Sequence, residues 1–250
     1  MAEEERIALF VDFENLALGA RDRGGALDMA VIMNALTERG RVVYRRAYAD
    51  WNLFSEHRQG LLGQRIEMIE IPQRMGMVRK NTADIKLSVD AIELSYERNF
   101  VTTFVIGSGD SDFTPLVLKL RELNKRVIGI GVEGSTSELL PGACDEFLFY
   151  ERLLGPGYTK TPRRQARKPD AETPDEEPDE GISELSRRVT QTLAGLQRST
   201  DGPILSSTVK RAILRKDPTF SEGDYGFRAW GELMRHLEAA GMVELQAGSA

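Results

Sequence analysis

One cysteine, two histidines and no long apolar run set the first limits on these 250 residues. The lone Cys144 excludes an internal disulfide and any cysteine-based zinc site, and it fits a reducing compartment. No uninterrupted apolar stretch is long enough to cross a bilayer. A basic-then-apolar leader is lacking as well, since Met1 to Arg6 is acidic, so the expected location is the cytoplasm, with no membrane partner. Positive charge is not in excess. The formal net charge of −6 argues against bulk non-specific nucleic-acid binding, although a basic patch acts locally. What remains is an ordinary globular composition, 41% hydrophobic and 29% charged, in a chain long enough for one large or two modest domains.

The informative stretch is Val105-Ile106-Gly107-Ser108-Gly109-Asp110-Ser111-Asp112-Phe113. A buried strand stops at two glycines, two aspartates follow with one residue between them, and Phe113 to Leu123 has helical periodicity. Carboxylates therefore stand at the carboxyl end of a strand, the edge where open α/β sheets bind ligands. Ile7 to Asp12 repeats the pattern: a short apolar strand ends in Asp12 and is followed by Glu14 and Asn15. One strand-end aspartate is often only a helix cap. Two strand ends that each present one more often form a site. Asn15 is readable either as an Asx cap or as a partner of Asp12 or of a phosphate.

Further strands are expected at Arg41–Asp50, Glu67–Ile71, Val101–Ile106, Arg126–Gly131 and Asp145–Tyr150, alternating with helices that begin near Asp28, Phe54, Asp84, Phe113 and Glu138. Such alternation gives an α/β fold with a mainly parallel sheet flanked by helices. Arg45 and Arg46 are possible phosphate contacts. Trp51 is a core aromatic or a base-stacking one. In the helix Asp84 to Glu97 the apolar stripe is Ile85, Val89, Ile92 and Tyr96, Asp84 lies on a neighbouring small-residue face, and Asp90 falls on a charged face with Lys86, Glu93 and Glu97. Helical geometry turns Asp90 well away from Asp84, toward the surface or a supporting position. The loop Gln73 to Thr82 before this helix carries Arg74, Arg79 and Lys80.

Gly155 to Gly181 has five prolines, a basic first half and an acidic second half, and too little apolar surface to fold. A second small domain is expected from Ile182: three helices, the third over Gly226–Ala240, and a terminal strand Met242–Leu245, which together read as winged-helix-like.

Val11-Asp12-Phe13-Glu14-Asn15, Ala83-Asp84-Ile85 and Gly107-Ser108-Gly109-Asp110-Ser111-Asp112-Phe113 together resemble the NYN domain, a family of the PIN-like nuclease fold. The resemblance covers Arg6 to about Tyr150 and divides the chain into a nuclease domain (1–154), a charged linker (155–181) and a tail domain (182–247). It implies a metal-dependent ribonuclease using Mg²⁺ or Mn²⁺. It places the acidic site at Asp12, Asp84, Asp110 and Asp112, with Asn15 and Ser108 as polar neighbours. Asp90 matches a further acidic position on the family's central helix and is assigned a supporting role. The tail, from Pro203-Ile204-Leu205-Ser206 through Gly226-Phe227 to Leu237–Val243, is similar to an OST-HTH (LOTUS) domain, which implies RNA or protein binding. Arg74, Arg79 and Lys80 would add phosphate contacts, and single-stranded RNA is the expected substrate. Homo-oligomers and a protein partner of the tail are compatible with this sequence. The competing readings are a non-catalytic RNA-binding scaffold, an aspartyl phosphatase acting through Asp12, and a Rossmann-type nucleotide enzyme. The last is disfavoured because no glycine-rich loop follows the first strand.

Overall fold

The computed structural model describes residues 4–71, 81–154, 178–197 and 202–245, with 178–181 described by backbone alone. The chain divides into two compact units, Met1–Tyr158 and Thr159–Ala250. The first unit begins with β1 (Arg6–Asp12), α1 (Phe13–Asp22), α2 (Met29–Thr37) and β2 (Arg41–Ala49), followed by α3 (Arg58–Gly63) and β3 (Glu67–Glu70). Then come α4 (Thr82–Glu97), β4 (Thr103–Gly107), α5 (Thr114–Glu122), β5 (Arg126–Gly131), α6 (Leu139–Ala143), β6 (Glu146–Phe149) and α7 (Tyr150–Leu153).

The six strands form one sheet in the order β3-β2-β1-β4-β5-β6, and every pairing is parallel. β1 is central and covered on both faces, so Ile7 to Val11 is an unbroken buried apolar run. One face packs on α1, α2, α3 and α7, with Leu9, Val11, Val105 and Ile128 pointing into that core. The other packs on α4, α5 and α6, with Phe10, Phe104 and Ile106 inward. The connection from β1 goes one way to β2, and that from β4 goes the other way to β5. A crevice therefore opens between the carboxyl ends of β1 and β4, where the strand order reverses.

All six strands expected in the first unit are present, and α1 runs for ten residues after Asp12. Trp51 is a core residue, not a stacking platform: its ring packs on Phe13 at 5.1 Å and its indole N–H donates to the Ile69 carbonyl at 2.9 Å. Cys144 is buried in the second core, where burial pushes its thiol up to about 12, so it is unreactive at neutral pH.

The largest departure concerns α4. Its expected apolar stripe faces outward, with Ile85, Val89 and Tyr96 exposed. The buried face is instead Leu87, Asp90, Ala91, Leu94 and Ser95. The reason lies opposite the helix. Beside Leu87, Ala91 and Leu94, β2 presents Tyr48 and Arg46, whose donors need a buried acceptor, and Asp90 supplies it. Three apolar residues and one satisfied carboxylate thereby form the inner face, against the prediction that put Asp90 on a charged outer one.

In the second unit α8 (Pro178–Gln197), α9 (Ser206–Lys216) and α10 (Trp230–Ala239) surround Leu185, Val189, Val209, Ile213, Leu233, Met234 and Leu237. Trp230 packs on this core, and its indole N–H donates to the Ser206 carbonyl at 3.1 Å and hydroxyl at 2.7 Å. α8 starts at Pro178, inside the segment expected to be linker; proline is favoured in a first turn. α10 starts at Trp230 rather than Gly226, because Gly226 adopts φ +84° and ends a short 3₁₀ turn over Glu222–Tyr225. Met242–Leu245 forms no strand, having no neighbouring strand to pair with among the described residues.

Candidate functional site

The crevice is lined by the start of α1, the turn after β4 and the first turn of α4. Asp12 is the last residue of β1 and the N-cap of α1: its Oδ1 accepts the Asn15 amide at 3.2 Å. Its Oδ2 accepts the Ser108 hydroxyl at 3.3 Å. Burial is the main influence on Asp12. Desolvation, with smaller contributions from Asp84 and Glu14, outweighs those hydrogen bonds and pushes its carboxyl up from 3.8 to about 7.

Ser108 and Gly109 hold the β4 turn to β1 and α1. The Ser108 hydroxyl accepts the Asp110 amide at 3.2 Å while donating to Asp12. Asn15 accepts the Gly109 amide at 2.8 Å through its side-chain carbonyl, so the amide oxygen serves the protein and not a ligand. Gly109 is required by close approach. A Cβ there would lie 2.8 Å from the Thr136 Cα, and the Gly109 carbonyl accepts the Ser137 amide at 2.8 Å. Asp110 caps the following 3₁₀ turn, its Oδ1 accepting the Asp112 amide at 2.9 Å.

Asp84, in the first turn of α4, completes the cluster. Its carboxyl is held above the ordinary 3.8, first by burial and then by the charges of Asp110, Asp112 and Glu14. Asp84 is thus the acid within electrostatic reach of the other three, Asp12, Asp110 and Asp112.

Two residues outside the expected set join it. Glu14, two positions after Asp12, acts on both Asp12 and Asp84. Asn81, the N-cap position of α4, adopts φ +36° and donates from Nδ2 to Asp112 Oδ2 at 2.9 Å. A left-handed asparagine is strained relative to glycine, and such strain concentrates at functional sites. Glu14 could have been included from its place beside Asp12. Nothing in the sequence points from Asn81 to Asp112.

Asp90 is not in the crevice. Its carboxylate accepts the Tyr48 hydroxyl at 2.8 Å, Arg46 Nη1 at 3.2 Å and the Lys86 ammonium. These donors hold it below the ordinary carboxylate value against the opposing effect of desolvation. Arg46 also bonds Glu67 at 2.7 Å, and Arg45 donates to the Gln64 and Val42 carbonyls, so both arginines are engaged within the protein rather than free for phosphate. Arg74, Arg79 and Lys80 lie outside the described residues.

Whether such a site suits a metal turns on its donors. Among the described residues no three His, Cys, Asp or Glu side chains converge into a ready-made cage. Mg²⁺ does not need one: it takes one or two carboxylates and keeps several waters. The donor set is oxygen only, and the repulsion within it falls when a cation is present. The residues fit a small hard divalent ion.

The NYN domain pattern matches residues 6–151. An uncharacterized protein of Methanocaldococcus jannaschii is 29% identical over 142 residues, which is 57% of this chain. The chain spans about half of that relative, 54% of its length. A crystal structure of a protein of unknown function from Vibrio parahaemolyticus is 29% identical, covers 60% of this chain and 94% of its own, and superposes with a TM-score of 0.52. No helix among the described residues is long and apolar enough to cross a membrane. The all-parallel sheet, the carboxylates at its reversal point and a family match over more than half of the residues agree: the chain belongs to the NYN domain family, a nuclease family of PIN-like fold.

Proposed function

We propose that the first unit is a metal-dependent ribonuclease that hydrolyses phosphodiester bonds in single-stranded RNA. The observation that supports this reading is Asp84 within electrostatic reach of Asp12, Asp110 and Asp112, acids that come from three separate segments of the chain. A divalent ion such as Mg²⁺ or Mn²⁺, held by Asp12, Asp84 and Asp110, would lower the pKa of a bound water and offset charge on the phosphate. Asp112 would hold or orient the attacking water, its own orientation fixed by Asn81.

The chain's residues then have separable tasks. Ser108 and Asn15 fix Asp12 and the β4 turn. Asp112, beside the attacking water, would take its proton as oxygen adds to phosphorus and the bond to the leaving ribose oxygen breaks. The leaving alkoxide is protonated by solvent. Arg74, Arg79 and Lys80 would contact flanking phosphates from the loop that precedes α4. The tail, as an OST-HTH-like module, would hold RNA or a protein partner.

The test is cleavage of labelled single-stranded RNA with Mg²⁺ or Mn²⁺ and then with chelator, for the full chain and its Asp12→Asn and Asp110→Asn variants. Metal-dependent cutting lost in both variants supports the reading. RNA binding without cutting overturns it and favours the non-catalytic scaffold. A trapped phosphoenzyme would instead identify Asp12 as the nucleophile of a phosphatase.

A further inference from the structure

α4 offers an apolar stripe to solvent where an ordinary surface helix offers charge. Ile85, Val89 and Tyr96 are 63%, 56% and 60% exposed, and Ile92 is half-buried between them. At 3.6 residues per turn the four fall within about 60° of arc, opposite the buried Leu87, Ala91 and Leu94. The neighbouring helix α5 exposes Leu118 as well, at 48%. The exposed side chains on this one stripe make a contiguous apolar patch of roughly a few hundred Å², a size that often marks an interaction site. A standard interface buries roughly 800 Å² per partner, so the polar flanks of the stripe would have to join it.

We propose that this stripe is an isologous dimer interface, on which two copies of the chain pair their α4 helices antiparallel about a two-fold axis. A two-fold between Val89 and Ile92 sets Ile85 against the partner's Tyr96 and Val89 against the partner's Ile92, so each small β-branched residue meets a larger one. The charges agree with the same axis. Lys86, Glu93 and Glu97 share one flank of the stripe, within about 40° of one another. An antiparallel two-fold keeps that flank on the same side and reverses its direction. Lys86 then faces the gap between the partner's Glu93 and the partner's Glu97. Neither glutamate has an ion pair among the described residues, and Lys86 reaches only Asp90 on its own helix. A parallel pair would put this flank on opposite sides of the seam, where Lys86 meets neither glutamate of the partner. The antiparallel arrangement also opposes the two helix dipoles. Each crevice stays at the amino end of its own α4, so the two lie at opposite ends of the pair and neither is covered by the partner's helix. This inference does not depend on the proposed nuclease activity.

Sedimentation of the full chain across a concentration series tests it, with circular dichroism to verify folding of each variant. The wild type should show a monomer–dimer equilibrium. Val89→Arg, at an exposed position, should raise the dimer Kd at least tenfold and leave the melting temperature of the monomer unchanged. Glu93→Lys with Glu97→Lys, which turns attraction to Lys86 into repulsion, should weaken the dimer several-fold at low salt and less at high salt. A double variant with Val89→Cys and Ile92→Cys should cross-link between copies on oxidation. A monomeric wild type overturns the proposal, whether its own chain or another partner covers the stripe. So does a dimer whose Kd is unchanged in Val89→Arg, which would place the interface elsewhere.

Discussion

Asp84 and Asp90 sit on one helix, six positions apart, and are treated oppositely. Asp84 faces other carboxylates, and its own is held above the ordinary value. Asp90 is more deeply buried, yet it is held below that value because Tyr48, Arg46 and Lys86 all donate to it. Burial alone therefore does not decide the direction in which an acid is shifted; the partners do. An acid given donors ties α4 to β2. Among the described residues the crevice acids accept only neutral donors and face one another's charge, which suits them to something positive.

Removing charge from the crevice should break the contrast most sharply. Asp12→Asn and Asp110→Asn are expected to reduce metal-dependent RNA cleavage at least ~100-fold, while the melting temperature without metal stays level or rises because repulsion is relieved. Asp90→Ala should do the reverse. It leaves the Tyr48 hydroxyl and Arg46 without their acceptor and should cost about 2 kcal/mol in denaturant unfolding. That figure is moderated by the partial exposure of Arg46 and Lys86. Residual activity should track the folded fraction.

pH should separate the two acids next. Asp12 has a folded-state value of about 7, above its unfolded 3.8. Its contribution to stability is therefore fully present below pH 3.8 and lost as pH rises through about 7. Asp90 has a lowered value, so its contribution is present above 3.8 and lost on further acidification. Thermal melts without metal should show the neutral-side loss, which Asp12→Asn removes and added Mg²⁺ offsets. Mg²⁺ binding below pH 7 should release protons, visible in calorimetry as a dependence on buffer ionisation enthalpy.

The smallest effect is expected at Asn81. Asn81→Gly relaxes the left-handed backbone but removes the bond to Asp112. Cleavage should fall a few-fold with stability unchanged. Asn81→Ala, which loses the bond and keeps the strain, should lower both. Equal cleavage in wild type and both variants would show that Asp112 needs no such positioning.

The sheet was legible because buried parallel strands are continuous apolar runs bounded by glycine and acid, as in Ile7–Asp12 and Phe104–Gly107. Asp12 and Asp110 stood out because each lies at or just past the end of such a strand, whereas Asp84 came from the resemblance and its place in the first turn of α4. α4 was misread for a physical reason: its apolar stripe is real, but periodicity alone does not say which stripe turns inward when β2 offers a buried tyrosine hydroxyl and a guanidinium. The Asn81–Asp112 bond spans 31 positions, and local pattern does not encode such a pairing. The tail's strand was inferred from Met242-Val243-Glu244-Leu245, a mostly apolar run that has no pairing neighbour among the described residues.

The two tryptophans give each unit its own optical reporter. Trp51 lies against Phe13, the residue after Asp12, whereas Trp230 belongs to the helical core of the second unit. With Trp230→Phe, the remaining emission reports unfolding of the first unit and events at the adjoining crevice. With Trp51→Phe it reports the second unit. Fluorescence titration of each single-tryptophan protein with cation or RNA then assigns a binding event to one half of the intact chain.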